Sequence, residues 1–220
     1  MKMKFGILAG AVGGLVLAST AMASPLQSLT MELVNSGDQG DTYRLYANLD
    51  EGARIDAVYG NAQGDLEVSV AGGGSMYHDA AGGATSQAIN SAFFVFVPSM
   101  EWDSYVSIGA LYSNGDPFGA NNLNDIGIDW GIWEGGGDLV SNNGSWFVTP
   151  DDEQGAVYNG QVFIGQFTVA SGESLVGQVN LQGKDANGDT WNAIGASWVP
   201  APGALALLGL AGLAGRRRRR

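Results

Sequence analysis

The chain has 220 residues, 35 glycines, no cysteine and a formal charge of −12. That length allows one domain of ordinary size, and the missing cysteines exclude disulfides, thiol catalysis and thiolate metal sites. Apart from the two ends, the chain sets only Arg44, Arg54 and Lys184 against all 22 acidic residues, a balance that repels phosphates and argues against a nucleic-acid partner.

At the N-terminus, Lys2 and Lys4 precede an apolar run over about residues 5–18, and Ala21-Met22-Ala23 follows. A basic start, a short apolar stretch and a small-x-small pattern make a secretory signal peptide. Signal peptidase is then a partner, and cleavage falls between Ala23 and Ser24. The apolar run is short for a membrane span, which needs about 20 residues. Residues 1–23 are therefore read as a signal helix that is removed, and the chain as exported.

From residue 24 to 198 no long apolar pattern of helical period occurs; two-residue alternation recurs between turn clusters. In chain order it predicts strands over 28–34, 42–49, 54–60, 65–71, 91–98, 105–112, 126–130, 145–149, 162–170, 174–184 and 190–199. Tyr43, Leu45, Ala47 and Leu49 share one face of the second. Phe163, Phe167 and Val169 are expected to line one face of the ninth, and Leu175, Val179 and Leu181 one face of the tenth. Breaks rich in Gly, Asn and Asp supply the turns, and Asn187-Gly188 is expected to turn a hairpin between the last two strands. The fold class is all-β: a single sandwich or jelly-roll-like domain over 24–198, flanked by the signal helix and a short C-terminal transmembrane helix.

Candidate chemistry in this middle is sparse. His78 is the only histidine, so a Ser-His-Asp triad would have to use it and a multi-histidine metal site is impossible. In its glycine-rich setting, His78 reads as a solvated side chain. Glycoside hydrolysis needs two carboxylates at a set separation, and the acidic residues offer many pairs with nothing to single one out. No catalytic residue and no cofactor-binding loop are assigned. Weak calcium binding is the one cofactor expectation, at Asp185, Asn187 and Asp189, whose hard oxygens share one turn. This is not an EF-hand, because Ala196 stands where the bidentate acid belongs, and the same residues also serve simply as turn formers. Trp102, Trp130, Trp133 and Trp146 could stack on sugar rings or fill the core.

The tail has three parts. Val199-Pro200-Ala201-Pro202 keeps the backbone extended, residues 203–215 carry no charged or polar side chain, and Arg216, Arg217, Arg218, Arg219 and Arg220 close the chain. As a helix, residues 203–215 rise about 20 Å, short of the roughly 30 Å hydrocarbon core, and snorkelling arginine stems extend the reach. The arginines resist translocation and stay cytoplasmic.

Residues 199–220, with Val199, Pro200, Ala201, Pro202 and Gly203 as the motif, resemble the PEP-CTERM sorting domain of bacterial surface proteins. The usual Pro-Glu-Pro is Pro-Ala-Pro here. The resemblance implies an exosortase-type membrane enzyme as partner and transient anchoring in the inner membrane through the helix. It further implies delivery to the cell surface, outer envelope or extracellular matrix. A plain C-terminal membrane anchor is the alternative. For the mature domain the expectation is a non-enzymatic structural or adhesive role with extracellular polysaccharide as partner. A carbohydrate-binding module and a glycan-active hydrolase are its rivals.

Overall fold

The computed structural model describes residues 24–198. Ala21 and Ala23 of the cleavage site, the sorting motif from Val199 to Gly203 and the five terminal arginines lie outside the described residues. Among the described residues, no helix is long and apolar enough to cross a membrane.

The strands are β1 (Leu26–Gly37), β2 (Gly40–Leu49), β3 (Arg54–Tyr59), β4 (Leu66–Val70), β5 (Tyr105–Val106), β6 (Asn124–Ile126), β7 (Leu139–Ser141), β8 (Ser145–Phe147), β9 (Gln161–Val169), β10 (Leu175–Lys184) and β11 (Thr190–Ser197). They form two antiparallel sheets in a sandwich-like, all-β arrangement. One sheet runs β1-β2-β9-β5, the other β6-β8-β3-β10-β4-β7, and β11 pairs with β10. Strand β10 organises the second sheet by pairing with β3 and β4 in turn and with β11.

Alternation places the core as expected in β2 and β10. Leu45, Ala47 and Leu49 meet Leu175, Val179 and Leu181 in one apolar cluster that also takes Ile55, Val58, Leu66, Val68 and Trp146. Full burial of each Leu, Ile or Val side chain in this cluster contributes roughly 1.5–3 kcal/mol.

Strand β9 departs from simple alternation. Leu45 pairs with Gly165 but Tyr46 pairs with Phe163, so Ile164 is an extra residue at this point. A bulge of one residue exchanges the faces on either side of it. Val162, Ile164, Phe167 and Val169 therefore face the main core, while Phe163 is turned to the opposite face, against Tyr105 and Ile89. The expectation that Phe163 shares a face with Phe167 and Val169 is corrected by this bulge.

Other boundaries also move. Residues 91–98 are not a strand: 3-10 turns occupy Ser91–Phe93 and Pro98–Trp102. The Asn90 side chain accepts from the Ala92 N–H at 3.0 Å and caps the first turn, and Pro98 opens the second. The strand expected over 105–112 ends at Val106, and Gly109 follows at φ 70°. Trp130 leaves strand for a single helical turn, α1 (Trp130–Glu134), whose N–H of Ile132 donates to Asp129 Oδ1. Strand β7 has no counterpart among the expected ones.

The β10–β11 hairpin forms where Asn187-Gly188 suggested. Gly188 sits at φ 84° and donates to the Asp185 carbonyl at 2.9 Å, while Lys184 pairs with Thr190. Asn187 keeps a negative φ, so the loop is a type I turn followed by a left-handed glycine rather than a two-residue mirror-image turn.

Candidate binding pocket

Turning Phe163 outward creates a second, smaller apolar layer on the far face of the β1-β2-β9-β5 sheet. Phe163, Tyr46 and Tyr105 from the sheet meet Ile89, Leu111 and Tyr112 from the connections on either side of β5. Beside this layer opens a cavity of about 270 Å³, near the lower end of small-ligand pockets. Its walls are aromatic. Tyr46 and Phe163 lie 5.7 Å apart by ring centroid, and Phe118 and Tyr158 meet edge to face at 5.8 Å. Asp116, Asn159 and Gln161 bring the hydrogen-bonding groups.

Each wall is set by local backbone chemistry. Tyr158 and Gln161 exchange both backbone hydrogen bonds, at 2.9 and 3.2 Å, around Asn159 at φ 54° and Gly160 at φ 83°. Two successive left-handed residues in an Asn-Gly pair are the signature of a type I′ hairpin turn. Asp116 and Phe118 ride on a loop knit by its own backbone: Leu111 N donates to the Asp116 carbonyl at 2.8 Å, and Gly115 N to that of Tyr112 at 2.9 Å. The Asn114 side chain accepts from Asp116 N at 3.1 Å.

Gly109 forms part of the pocket lining. Its N–H donates to the Phe163 carbonyl at 2.7 Å, and a Cβ there would collide with the carbonyl oxygen of Gln154. That carbonyl cannot retreat easily, because the buried Gln154 side chain donates to Ile108 O at 2.6 Å and accepts from Asn122 N at 2.7 Å. Gly109→Ala is expected to cost about 2 kcal/mol or more, since left-handed backbone and backbone collision add. A urea midpoint equal to wild type would contradict this.

Behind Tyr46 lies Arg44, two residues earlier on the same face. Its Nε donates to Gln166 Oε1 at 3.1 Å and its Nη2 to the Tyr112 hydroxyl at 3.2 Å. Burial raises the Tyr46 phenol above its ordinary value, so it remains a hydrogen-bond donor throughout the neutral range.

The sequence-selected residues are distributed elsewhere. Trp133 and Trp146 are fully buried in the main core, and Trp146 Nε1 donates to the Ser107 carbonyl at 2.9 Å. Trp102 and Trp130 are half-buried, and none of the four lines the cavity. Asp185, Asn187 and Asp189 do share one exposed turn. There the Asp185 carboxylate accepts from the N–H groups of Asn187 and Asp189 at 2.8 and 2.9 Å, which draws its pKa below the ordinary value. Its oxygens thus serve the turn. Among the described residues, no group of three or more His, Asp or Glu is arranged to hold a metal ion.

His78 is not solvated as its glycine-rich setting suggested. Only 11% of its side chain is exposed, and its ring stands edge-on to Trp133 at 4.7 Å. Burial lowers its pKa. Nδ1 lies 3.8 Å from Asp103 Oδ1, beyond hydrogen-bond reach. The fully buried Asp103 instead accepts backbone N–H groups from Asp79 at 2.9 Å, Gly83 at 3.0 Å and Ser104 at 2.8 Å. Gly82 leaves no room for a Cβ against this carboxylate. The constellation pins the 79–83 loop.

Compared with family models, curated proteins and solved structures, the chain matches none. The aromatic pocket is thus read from its own chemistry. Tyr46, Phe118 and Tyr158 were not singled out by the sequence and Phe163 was placed on one face with Phe167 and Val169, although the Asn159-Gly160 pair between two apolar stretches was a legible turn signal.

Proposed function

We propose that the chain is an exported bacterial surface or matrix protein whose domain over 24–198 binds a saccharide in this pocket. The observation that carries the reading is four aromatic rings interleaved with Asp116, Asn159 and Gln161 around one small cavity. Pyranose rings present apolar C–H faces that pack on aromatic rings, and their equatorial hydroxyls suit carboxylate and amide partners. Asp116 is the single carboxylate of the lining, which supports binding over the two-carboxylate chemistry of glycoside hydrolysis.

Residues 1–23 act as the signal helix in this reading. Residues 199–220 form the sorting segment, with its short helix transiently anchored and its motif cut by an exosortase-type enzyme. Intact mass of the protein recovered from envelope and medium checks that part. Loss of both ends, near Ala23 and near Pro202, is expected. A membrane-bound form that keeps all five arginines would instead favour the plain anchor.

Because the pocket holds Tyr and Phe rather than Trp, calorimetry against a neutral-glycan panel is the suitable measurement. Tyr158→Ala is expected to weaken a positive hit about 10-fold or more without altering the thermal midpoint, since its ring is half-exposed and supports no core. Absence of any hit across a broad panel, or an unaltered affinity in the variant, would remove the saccharide reading.

A further inference from the structure

The segment expected as a strand over 91–98 forms a knuckle of 3-10 and tight turns instead, and its sides are sharply divided. Phe94 turns inward, edge-to-face on Tyr112 at 5.3 Å, and Met100 is buried. Phe93, Val95 and Phe96 turn outward and are 52%, 78% and 78% exposed. The shape is fixed by backbone bonds: Phe96 N and Val97 N both donate to the Phe93 carbonyl, at 2.8 and 2.9 Å. Three large apolar groups within four consecutive residues are costly in water unless something covers them.

The surrounding sequence bears on what that is. Residues 80–100 contain no charged side chain, in a chain with 22 acidic residues. Around the tip stand Asn90, Ser91 and Ser99, which can hydrogen-bond without carrying charge. A second copy of the chain fits poorly. A stable pair buries roughly 800 Å² per partner, whereas these three side chains supply at most about 500 Å². A bilayer interface requires no matching surface. It accepts a protruding apolar tip, its headgroups accept neutral hydrogen-bonding neighbours, and an uncharged window spares any acid from being drawn into the interface.

We propose that the Phe93-Val95-Phe96 knuckle inserts into the interfacial zone of a zwitterionic lipid surface, so that this face of the domain lies against a membrane. The knuckle lies on the domain rather than the tail, and Phe93, Val95 and Phe96 take no part in the lining of the saccharide pocket. Insertion would hold the domain in one orientation on a bilayer.

The test uses the full chain, reconstituted with phosphatidylcholine vesicles. Since the chain has no cysteine, Ala92→Cys gives a unique position beside the knuckle for an environment-sensitive fluorophore. Ala186→Cys, in the β10–β11 turn at the end of β11 remote from the tail, gives the reference position. The label at 92 is expected to shift to the blue and to be quenched by lipids brominated along their chains, while the label at 186 does neither. Adding Phe93→Ser, Val95→Ser and Phe96→Ser should abolish the response at 92. Because the tail is present throughout, vesicle attachment through it alone leaves position 92 in water and overturns the proposal. A response at 92 that persists in the triple variant overturns it equally. A blue shift without vesicles that grows with protein concentration would assign the knuckle to self-association and overturn the lipid assignment.

Discussion

Asp103→Ala is expected to lower unfolding stability by about 3–5 kcal/mol. The reason is arithmetic on orphaned donors. The carboxylate takes the N–H groups of Asp79, Gly83 and Ser104, and Asp103 is fully buried; without it Ser104 N keeps the Tyr77 carbonyl at 3.2 Å, whereas Asp79 and Gly83 lose their acceptor. Each buried N–H left without a partner costs roughly 1–3 kcal/mol, with partial relief where water enters. Asp103→Asn retains one acceptor oxygen and should fall between wild type and alanine. Chemical denaturation with an unchanged m-value measures both.

The pH dependence follows from the same burial. Desolvation pushes the Asp103 carboxyl up to about 7, while its three backbone donors pull the other way. Its folded-state value exceeds the unfolded one, so between about pH 4 and 7 the folded protein binds the extra proton. Stability from this group is fully present below about pH 4 and is lost as pH rises to 7. His78 has the opposite sign. Burial lowers its pKa, so its contribution is present above its ordinary value and lost as pH falls through it. Asp79, with a lowered pKa, loses its contribution only at more acid pH. The gap between wild type and Asp103→Asn isolates Asp103: it should narrow as pH rises from 4 to 7. A gap constant over that range would show that Asp103 stays ionised throughout.

Trp146→Ala is expected to cost about 3–5 kcal/mol through the cavity it leaves, plus a further penalty for the Ser107 carbonyl deprived of the indole N–H. Trp146 lies on β8, paired with Val58 of β3 on one side and Asp125 of β6 on the other. Its loss therefore opens the core at the centre of three strands. Trp146→Phe keeps most of the bulk and should cost less than half as much. A sugar-stacking tryptophan would behave differently, leaving stability intact and abolishing binding. If Trp146→Ala leaves the denaturation midpoint where it was, the core placement is wrong.

The strands that could be read from residues alone are the ones in which a simple local rule governs. Strands β2 and β10 alternate because one face is buried along their whole length, so Leu45, Ala47, Leu49, Leu175, Val179 and Leu181 were legible as core. The turn at Gly188 was legible because a left-handed residue favours glycine wherever it occurs. Residues 91–98 misled because an unbroken apolar run carries no period. Whether it becomes strand or turn depends on which side chains find a neighbour: Phe94 finds Tyr112, while Phe93, Val95 and Phe96 stay in water.

Composition and order along the chain determine the acidic, cysteine-free character of the middle, the basic tips and an all-β body punctuated by Gly, Asn and Asp. These are properties of local charge and backbone preference. The pocket belongs to the tertiary structure. It exists because one extra residue in β9 turns Phe163 away from the main core, and because residues more than a hundred apart then converge on it. No local pattern encodes a face exchange that only the pairing with β2 reveals. The fates of His78 and Asp103 were settled in the same way, by a loop folding over them. Burial, which sets their protonation, is a sum over neighbours that the sequence does not list in order.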